Sequence, residues 1–175
     1  MNDISNFKKS IQALLLLITL ICPVITLAQT NAEKRQQVER MISDFSHDFA
    51  VPEVDVSMAK TLLSEANVVF LDVREPKETQ VSVIPNAISK QQFETKPQAY
   101  KDKKIIVYCT IGYRSSKYAE QWNKRGFHMS NLRGSLLLWS HENGPLVDQT
   151  GKPTRLVHIY GKKWNLVPDS YQSVF

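Results

Sequence analysis

The stretch "IIVYCTIGYRSSKYAEQW" (residues 105–122) carries the pattern that decides the fold. Its apolar start is typical of a strand that is buried on both faces of a parallel sheet. The residues from Ser115 to Arg125 predict a helix that ends at Gly126, since glycine commonly follows the last turn of a helix. A short loop that begins at Cys109 joins the two elements. The stretch therefore predicts one strand–loop–helix unit.

Other segments repeat this alternation. The apolar run "NVVFLDV" (residues 67–73) and "FHMSNLRG" (residues 127–134) each predict a further strand. "SLLLWSHENG" (residues 135–144) predicts one or two helical turns, and Ser57 is expected to cap a helix that runs through Glu65. Strands that alternate with helices predict an α/β domain with a central, mostly parallel sheet flanked by helices.

Two regions have a less regular pattern. Residues 74–90 predict mostly loop, with Pro85 as a stop to regular structure. A short helix is expected within residues 91–103. Residues 146–160 alternate apolar and polar positions around Gly151, which predicts a hairpin near the end of the chain.

The start of the chain resembles a secretory signal peptide. Residues 1–28 combine a basic beginning, a short apolar run and a small-residue exit at Ala28. An uncleaved anchor is the alternative, and a lipoprotein attachment at Cys22 is disfavoured because Ile21 precedes it. We therefore expect an exported protein, periplasmic or secreted, without stable insertion in the membrane after cleavage. Cys109 is then the only cysteine of the mature chain.

The next segment, residues 29–52, predicts an amphipathic helix with a charged outer face. We expect this helix to dock on its own domain; a dimer or membrane contact is the alternative. The full chain has a formal net charge of +5. For an exported protein we take this mild excess as an aid to solubility and to the attraction of small anions, and expect no nucleic-acid partner.

The loop after residues 105–108 places Cys109 where parallel α/β sheets bind ligands, at the carboxyl end of a strand. Gly112 gives this loop the freedom to turn tightly. Backbone N–H groups and the positive end of the helix dipole favour an anion there, so the thiol should ionise readily. Arg114 adds a fixed positive charge. The loop favours a reactive thiol over the alternative, an inert core cysteine.

Three segments resemble those of a single-domain rhodanese, a sulfurtransferase. They are "FLDVREPKE" (residues 70–78), "CTIGYRS" (residues 109–115) and "NLRGSLLLW" (residues 131–139). The resemblance extends over residues 54–157.

Two features depart from the family pattern. The segment "SVIPNA" (residues 82–87) lacks a glycine and a histidine that are common in the family. Ser135 follows Gly134 where two glycines are common. We expect both departures to alter local loop shape and acceptor choice without touching the nucleophile.

The resemblance implies a three-layer rhodanese-like domain over residues 53–160, followed by a tail over residues 161–175. It implies that the Cys109 thiolate takes a sulfane sulfur from a small anionic donor such as thiosulfate and passes it to a thiol or cyanide. No cofactor or metal is expected, and the oligomeric state is left open. Asp72 is expected to support the structure, and the expected substrate-binding residues are Thr110, Ile111, Gly112, Tyr113, Arg114 and Arg74. For Arg74, an ion pair is the alternative to a place at the pocket rim.

Other functions stay open. Related loops of cysteine phosphatases and arsenate reductases bind oxyanions, but they resemble Cys-x5-Arg, whereas Cys109 and Arg114 are spaced as Cys-x4-Arg. A non-catalytic binding module of the same fold is a further alternative, and the presence of Cys109 argues against it. The four histidines show no metal-ligand spacing. Trp139 is expected in the core.

Overall fold

The computed structural model describes residues 28–175, so the predicted signal peptide lies almost wholly outside the described residues. The described α-helices are α1 (Asn31–Phe45), α2 (Val56–Thr61), α3 (Pro76–Thr79), α4 (Lys90–Thr95), α5 (Tyr113–Asn123) and α6 (Ser135–His141). The strands are β1 (Glu53–Val54), β2 (Val68–Asp72), β3 (Ile88–Ser89), β4 (Lys104–Tyr108), β5 (Met129–Leu132), β6 (Leu146–Val147), β7 (Pro153–Thr154), β8 (Leu156–His158) and β9 (Gln172–Val174).

Five strands form the central sheet in the order β1-β5-β4-β2-β3. Every pairing in this sheet is parallel. Asp72 at the end of β2 lies opposite Tyr108 at the end of β4, so the loops that follow these strands leave the same edge of the sheet. The α/β architecture predicted from the alternation of elements is confirmed, and the loop at Cys109 leaves the middle strand.

Apolar side chains cover both faces of the sheet. Trp139 is fully buried in the larger cluster, where it contacts the Phe70 ring, as expected for a core residue. The smaller cluster surrounds Phe93 and includes Cys109 among its members. The nucleophile predicted from the sequence is therefore anchored in a packed core rather than on a free loop.

Helix α1 docks on its own domain. The Thr30 side chain and the Glu33 carboxylate form a reciprocal cap at its start. Val38 and Ile42 on its inner face are buried in the larger core cluster. The sequence predicted that this helix docks on its own domain, and the packing of α1 confirms that prediction.

The predicted hairpin is present but short. β6 and β7 pair antiparallel, and Gly151 adopts a left-handed conformation between them. β8 does not continue this hairpin; it pairs in parallel with β9, at the end of the chain. Leu166 and Tyr171 are buried in the larger core cluster, so the tail after residue 160 packs into the domain.

Two local predictions were wrong. Residues 76–79 form a helix rather than loop, with Pro76 at its first position and Glu75 and Glu78 forming a capping box. Helix α2 begins at Val56 after Asp55, so the predicted cap at Ser57 is absent. Such short helices have too few turns for apolar periodicity to mark their ends.

Within residues 28–175, no helix has both the length and the apolar character that are needed to cross a membrane.

Candidate active site

The loop between β4 and α5 turns at Gly112. Gly112 has a φ of 116°, a conformation that side chains other than glycine rarely adopt. A Cβ atom at this position would lie 3.3 Å from Nδ2 of Asn131. Helix α5 starts directly after this residue, at Tyr113, so the predicted first residue Ser115 lies within the first turn. The positive φ of residue 112 and the short distance to the Asn131 side chain therefore both favour glycine at this position.

The Cys109 sulfur is buried and hydrogen-bonded from two sides. The backbone N–H of Gly112 donates to Sγ over 3.2 Å, and the Ser115 hydroxyl lies 3.5 Å from it. That hydroxyl also lies 2.7 Å from Oδ1 of Asn131. It has one proton, so it donates to only one acceptor at a time and can turn toward the sulfur when the thiol ionises.

Opposing effects act on the thiol pKa. Burial raises the pKa of Cys109, because it penalises the thiolate. The Ser115 hydroxyl, the positive charge of Arg114 and the backbone N–H groups of Ser115 and Gly112 favour the thiolate and together lower the pKa below its ordinary value. The sequence predicted this direction, but the contribution of Ser115 was not foreseen.

Ser135 fixes the backbone of the nucleophile. The Cys109 N–H donates to the Ser135 hydroxyl over 3.0 Å, and that hydroxyl lies 3.2 Å from the Leu132 carbonyl oxygen, to which it can donate. Ser135 also has a φ of 45°, in the left-handed region that favours glycine. The expectation that this departure from the family pattern leaves the nucleophile untouched was therefore wrong.

Arg114 is bound to a carboxylate that the sequence did not assign. Its Nη1 and Nη2 atoms donate to the two oxygens of Glu78 over 2.7 and 2.8 Å. The Thr110 hydroxyl donates to Oε1 of Glu78 at 3.2 Å. Burial raises the pKa of Glu78, but the hydrogen bond and the charge of Arg114 outweigh it and lower the pKa overall. The ion pair braces the two ends of the loop.

A pocket of about 260 Å³ opens beside the thiol. Cys109, Thr110 and Arg114 line it together with four apolar or aromatic side chains: Ile111, Tyr113, Tyr160 and Trp164. The structure thus brings most of the predicted loop residues to one cavity. Gly112 takes part through its N–H group.

Aromatic contacts hold the mouth of this pocket. The Tyr113 ring meets the edges or faces of Phe45 and Phe49 at centroid distances of 5.6 and 5.2 Å. The Tyr160 ring lies 5.0 Å from the guanidinium carbon of Arg114, within the range of a cation–π contact. Segments from before and after the loop therefore shape the entrance.

Arg74 does not line this pocket. Its side chain is fully buried, where Nη2 donates to Oδ2 of Asp72 and to the Ser82 carbonyl oxygen, each over 2.6 Å. Of the two roles that the sequence left open for Arg74, the structure shows the ion pair. Asp72 also accepts the backbone N–H of Arg74, so this pair stiffens the loop after β2.

Several contributors to the site escaped sequence reasoning, among them Ser115, Glu78, Ser135, Tyr160 and Trp164. Glu78 offered a weak signal. A carboxylate that follows the carboxyl end of β2 can meet a cation that follows β4, and here that cation is Arg114. The two aromatic residues offered none, since their position depends on how the tail folds back.

A buried thiol whose surroundings lower its pKa, held at the carboxyl edge of a parallel sheet, is suited to act as a nucleophile. The family model of the rhodanese-like domain matches residues 55–142. The chain belongs to this family, as the resemblance of its loop indicated.

The chain is similar to proteins with two kinds of name, a sulfurtransferase and a tRNA hydroxylase. A sulfurtransferase of Allochromatium vinosum is 27% identical over 106 residues, which cover 58% of this chain and 99% of that protein. A tRNA uridine(34) hydroxylase of Buchnera aphidicola is 32% identical over 91 residues, which cover 46% of this chain and 29% of that protein.

Solved structures show the same fold. A thiosulfate sulfurtransferase from Pseudomonas aeruginosa superposes with a TM-score of 0.52 at 22% identity. The match covers 72% of this chain and 24% of that one.

Proposed function

We propose that this protein transfers a sulfane sulfur through a persulfide on Cys109. The thiolate attacks the outer sulfur of a donor, of which thiosulfate is the simplest. A bond forms between Sγ and that sulfur, the S–S bond of the donor breaks, and its electron pair leaves with sulfite. A thiol or cyanide then attacks the terminal sulfur of the persulfide, and its product departs as the Cys109 thiolate is restored.

The observation that carries this proposal is the hydrogen bond from the Gly112 N–H to the Cys109 sulfur. This N–H group donates to Sγ, the atom that bears the negative charge before the attack. A persulfide places that charge one bond further out, within the same loop and beside the same pocket. Preorganised donors of this kind stabilise charge without reorganising during the reaction.

The ion pair at Arg114 supports sulfur transfer over hydrolysis of a phosphate ester. A cysteine phosphatase needs its loop arginine to hold a tetrahedral dianion. Here both terminal nitrogens of Arg114 donate to Glu78. The arginine therefore acts on Cys109 as a nearby charge and as a brace.

We also propose that the protein acts outside the cytoplasm. The signal-peptide pattern of residues 1–28 supports this. A small sulfur compound as donor and a low-molecular-weight thiol as acceptor would meet the site there. The experiment is fractionation of cells that express the full chain, with the mature mass measured for cleavage after Ala28.

The direct test of the activity uses purified protein of residues 29–175. It is incubated with thiosulfate, and separately with benzenethiosulfonate, which carries the same kind of transferable outer sulfur. Intact mass should rise by one sulfur atom, and cyanide should then remove that atom as thiocyanate. Cys109→Ser should do neither. A wild-type protein that gains no sulfur from either donor would overturn the proposal.

A further inference from the structure

We propose that the sulfur donor of this protein is an organic compound with an apolar, ring-sized group beside its reactive sulfur, rather than a small inorganic dianion. The inference rests on the proposed sulfur transfer and names the substrate class of the same site. It depends on three features of the pocket at Cys109: its walls, its size and its charge.

The walls of the pocket are mostly apolar. Ile111 is buried, and the aromatic residues Tyr113, Tyr160 and Trp164 line the same pocket. Tyr160 leaves 61% of its surface exposed, so part of its apolar ring is free to be covered by a ligand. An apolar group of a ligand that enters the pocket would cover this ring.

Two of these walls come from outside the part of the chain that matches the family model. The match ends at residue 142, whereas Tyr160 and Trp164 lie on the segment between β8 and β9. The parallel pairing of β8 with β9 fixes both ends of that segment. The wall is therefore a feature that this chain adds to the loop.

The pocket also has the size for a ring. Its volume is about 260 Å³, and an apolar cavity of about 150 Å³ already admits benzene. A six-membered ring therefore fits between the aromatic walls while its attached sulfur group reaches Cys109.

The charge at the pocket disfavours a dianion. Among the described residues that line it, Arg114 is the one cation, and Glu78 compensates its charge through two hydrogen bonds. The Tyr160 ring lies over its guanidinium group at 5.0 Å. An inorganic dianion would lose water on entry and, among the described side chains that line the pocket, would find no cation without a carboxylate partner. An organic monoanion loses less and gains apolar contact.

Two thiosulfonates separate the contribution of the ring from that of the reacting group. Benzenethiosulfonate and methanethiosulfonate carry the same monoanionic group and differ in the substituent. In both, Cys109 attacks the outer sulfur, the S–S bond breaks, and a sulfinate leaves with the electron pair. The ratio of their kcat/KM values, divided by the ratio of their rates with a small free thiolate, therefore measures recognition of the ring.

The expected result is a corrected ratio well above one for the wild type, with thiosulfate the poorest of the three donors. Tyr160→Ala should lower the ratio about fivefold, in the range of one lost aromatic contact. Trp164→Ala should lower it as well. The matched control is Met58→Ala, which removes an exposed apolar side chain on α2, away from the pocket, and should leave the ratio unchanged.

A corrected ratio near one in the wild type would overturn the inference, and so would an equal ratio in wild type and Tyr160→Ala. Tyr160 is largely exposed, so its replacement keeps the test valid even where Trp164→Ala folds poorly. In either of these overturning cases, a persulfide that still forms on Cys109 would leave the proposed function standing. If no donor formed a persulfide, both the proposed sulfur transfer and the inferred donor class would be wrong.

Discussion

Glu78 and Arg114 form a two-point ion pair in which the carboxylate side chain is 1% exposed and the guanidinium side chain 27% exposed. Glu78 comes from α3, after β2, and Arg114 from the first turn of α5, after β4. Because β2 and β4 are neighbours, the pair ties the two adjacent loops at the carboxyl edge of the sheet. It also positions the charge that favours the Cys109 thiolate.

Glu78→Gln should destabilise the protein by about 1–3 kcal/mol, because it leaves Arg114 with a neutral partner in a largely buried place. The folded-state pKa of Glu78 lies below its ordinary value of 4.5. Its stabilising contribution is therefore complete above that pH and is lost as the pH falls through the lower, folded-state value. Urea unfolding from neutral to acidic pH should show a shallower acid loss for the variant.

The matched control for that series is Glu65→Gln, which removes an exposed carboxylate elsewhere on the surface. It should keep the wild-type stability at neutral pH. If Glu78→Gln matched the wild type in both stability and acid sensitivity, the ion pair would contribute nothing to the fold.

The thiol of Cys109 should be alkylated by iodoacetamide with a pH midpoint below that of an ordinary cysteine, because its pKa is lowered. Ser115→Ala should raise this midpoint, since it removes the side-chain hydroxyl that favours the thiolate. Ser116→Ala, one residue further along the same helix, serves as the control. An unchanged midpoint in Ser115→Ala would show that the hydroxyl does not stabilise the thiolate and bonds to its other acceptors, Asn131 and the Gly112 carbonyl oxygen.

Ser135→Ala should cost about 1–3 kcal/mol, because the buried N–H of Cys109 loses its acceptor. Ser135→Gly loses the same acceptor but relieves the left-handed backbone at this position, where strain costs about 1 kcal/mol. The glycine variant should therefore be the more stable of the two in denaturant unfolding. The reverse order would mean that helix propensity outweighs backbone strain at the start of α6.

The pair of substitutions Phe45→Ala and Phe49→Ala should raise KM for thiosulfonates by about two- to tenfold, since the Tyr113 ring loses both of its aromatic supports. The alkylation midpoint of Cys109 should stay at the wild-type value, because neither ring contributes to its pKa. The control is steady-state kinetics with Arg40→Ala, because Arg40 is an exposed residue of α1, the helix that ends at Phe45. A shifted midpoint with an unchanged KM would contradict this role.

The central fold follows from local patterns that are visible along the chain. The apolar runs that became β2 and β4 are continuous because helices cover both faces of the sheet, and the cysteine loop is recognisable because its residues are adjacent. Helix α3 was missed because its signal lies in a proline and a capping box and not in apolar periodicity. Short helices rarely carry a stronger signal.

Contacts between distant positions could not be predicted in the same way. Glu78 and Arg114 are 36 positions apart, and many carboxylates lie at comparable distances in the sequence. Ser135 was noticed as a departure from the family pattern, but its bond to the Cys109 N–H depends on how closely α6 approaches the loop. The positions of Tyr160 and Trp164 depend on the fold of the tail, whose strand β9 pairs in parallel with β8.

The pairing of β8 with β9 brings two separate parts of the chain to the same pocket. The reactive atom belongs to the family core, whereas Tyr160 and Trp164 belong to a loop held between two short strands at the rim. If the proposed donor class is correct, substitutions in that loop should change donor preference while leaving the proposed chemistry at Cys109 intact. A fragment trimmed to residues 55–142 would lose these two rings and also Leu166 and Tyr171, which are buried in the larger core cluster, so the same tail completes both the pocket and the core.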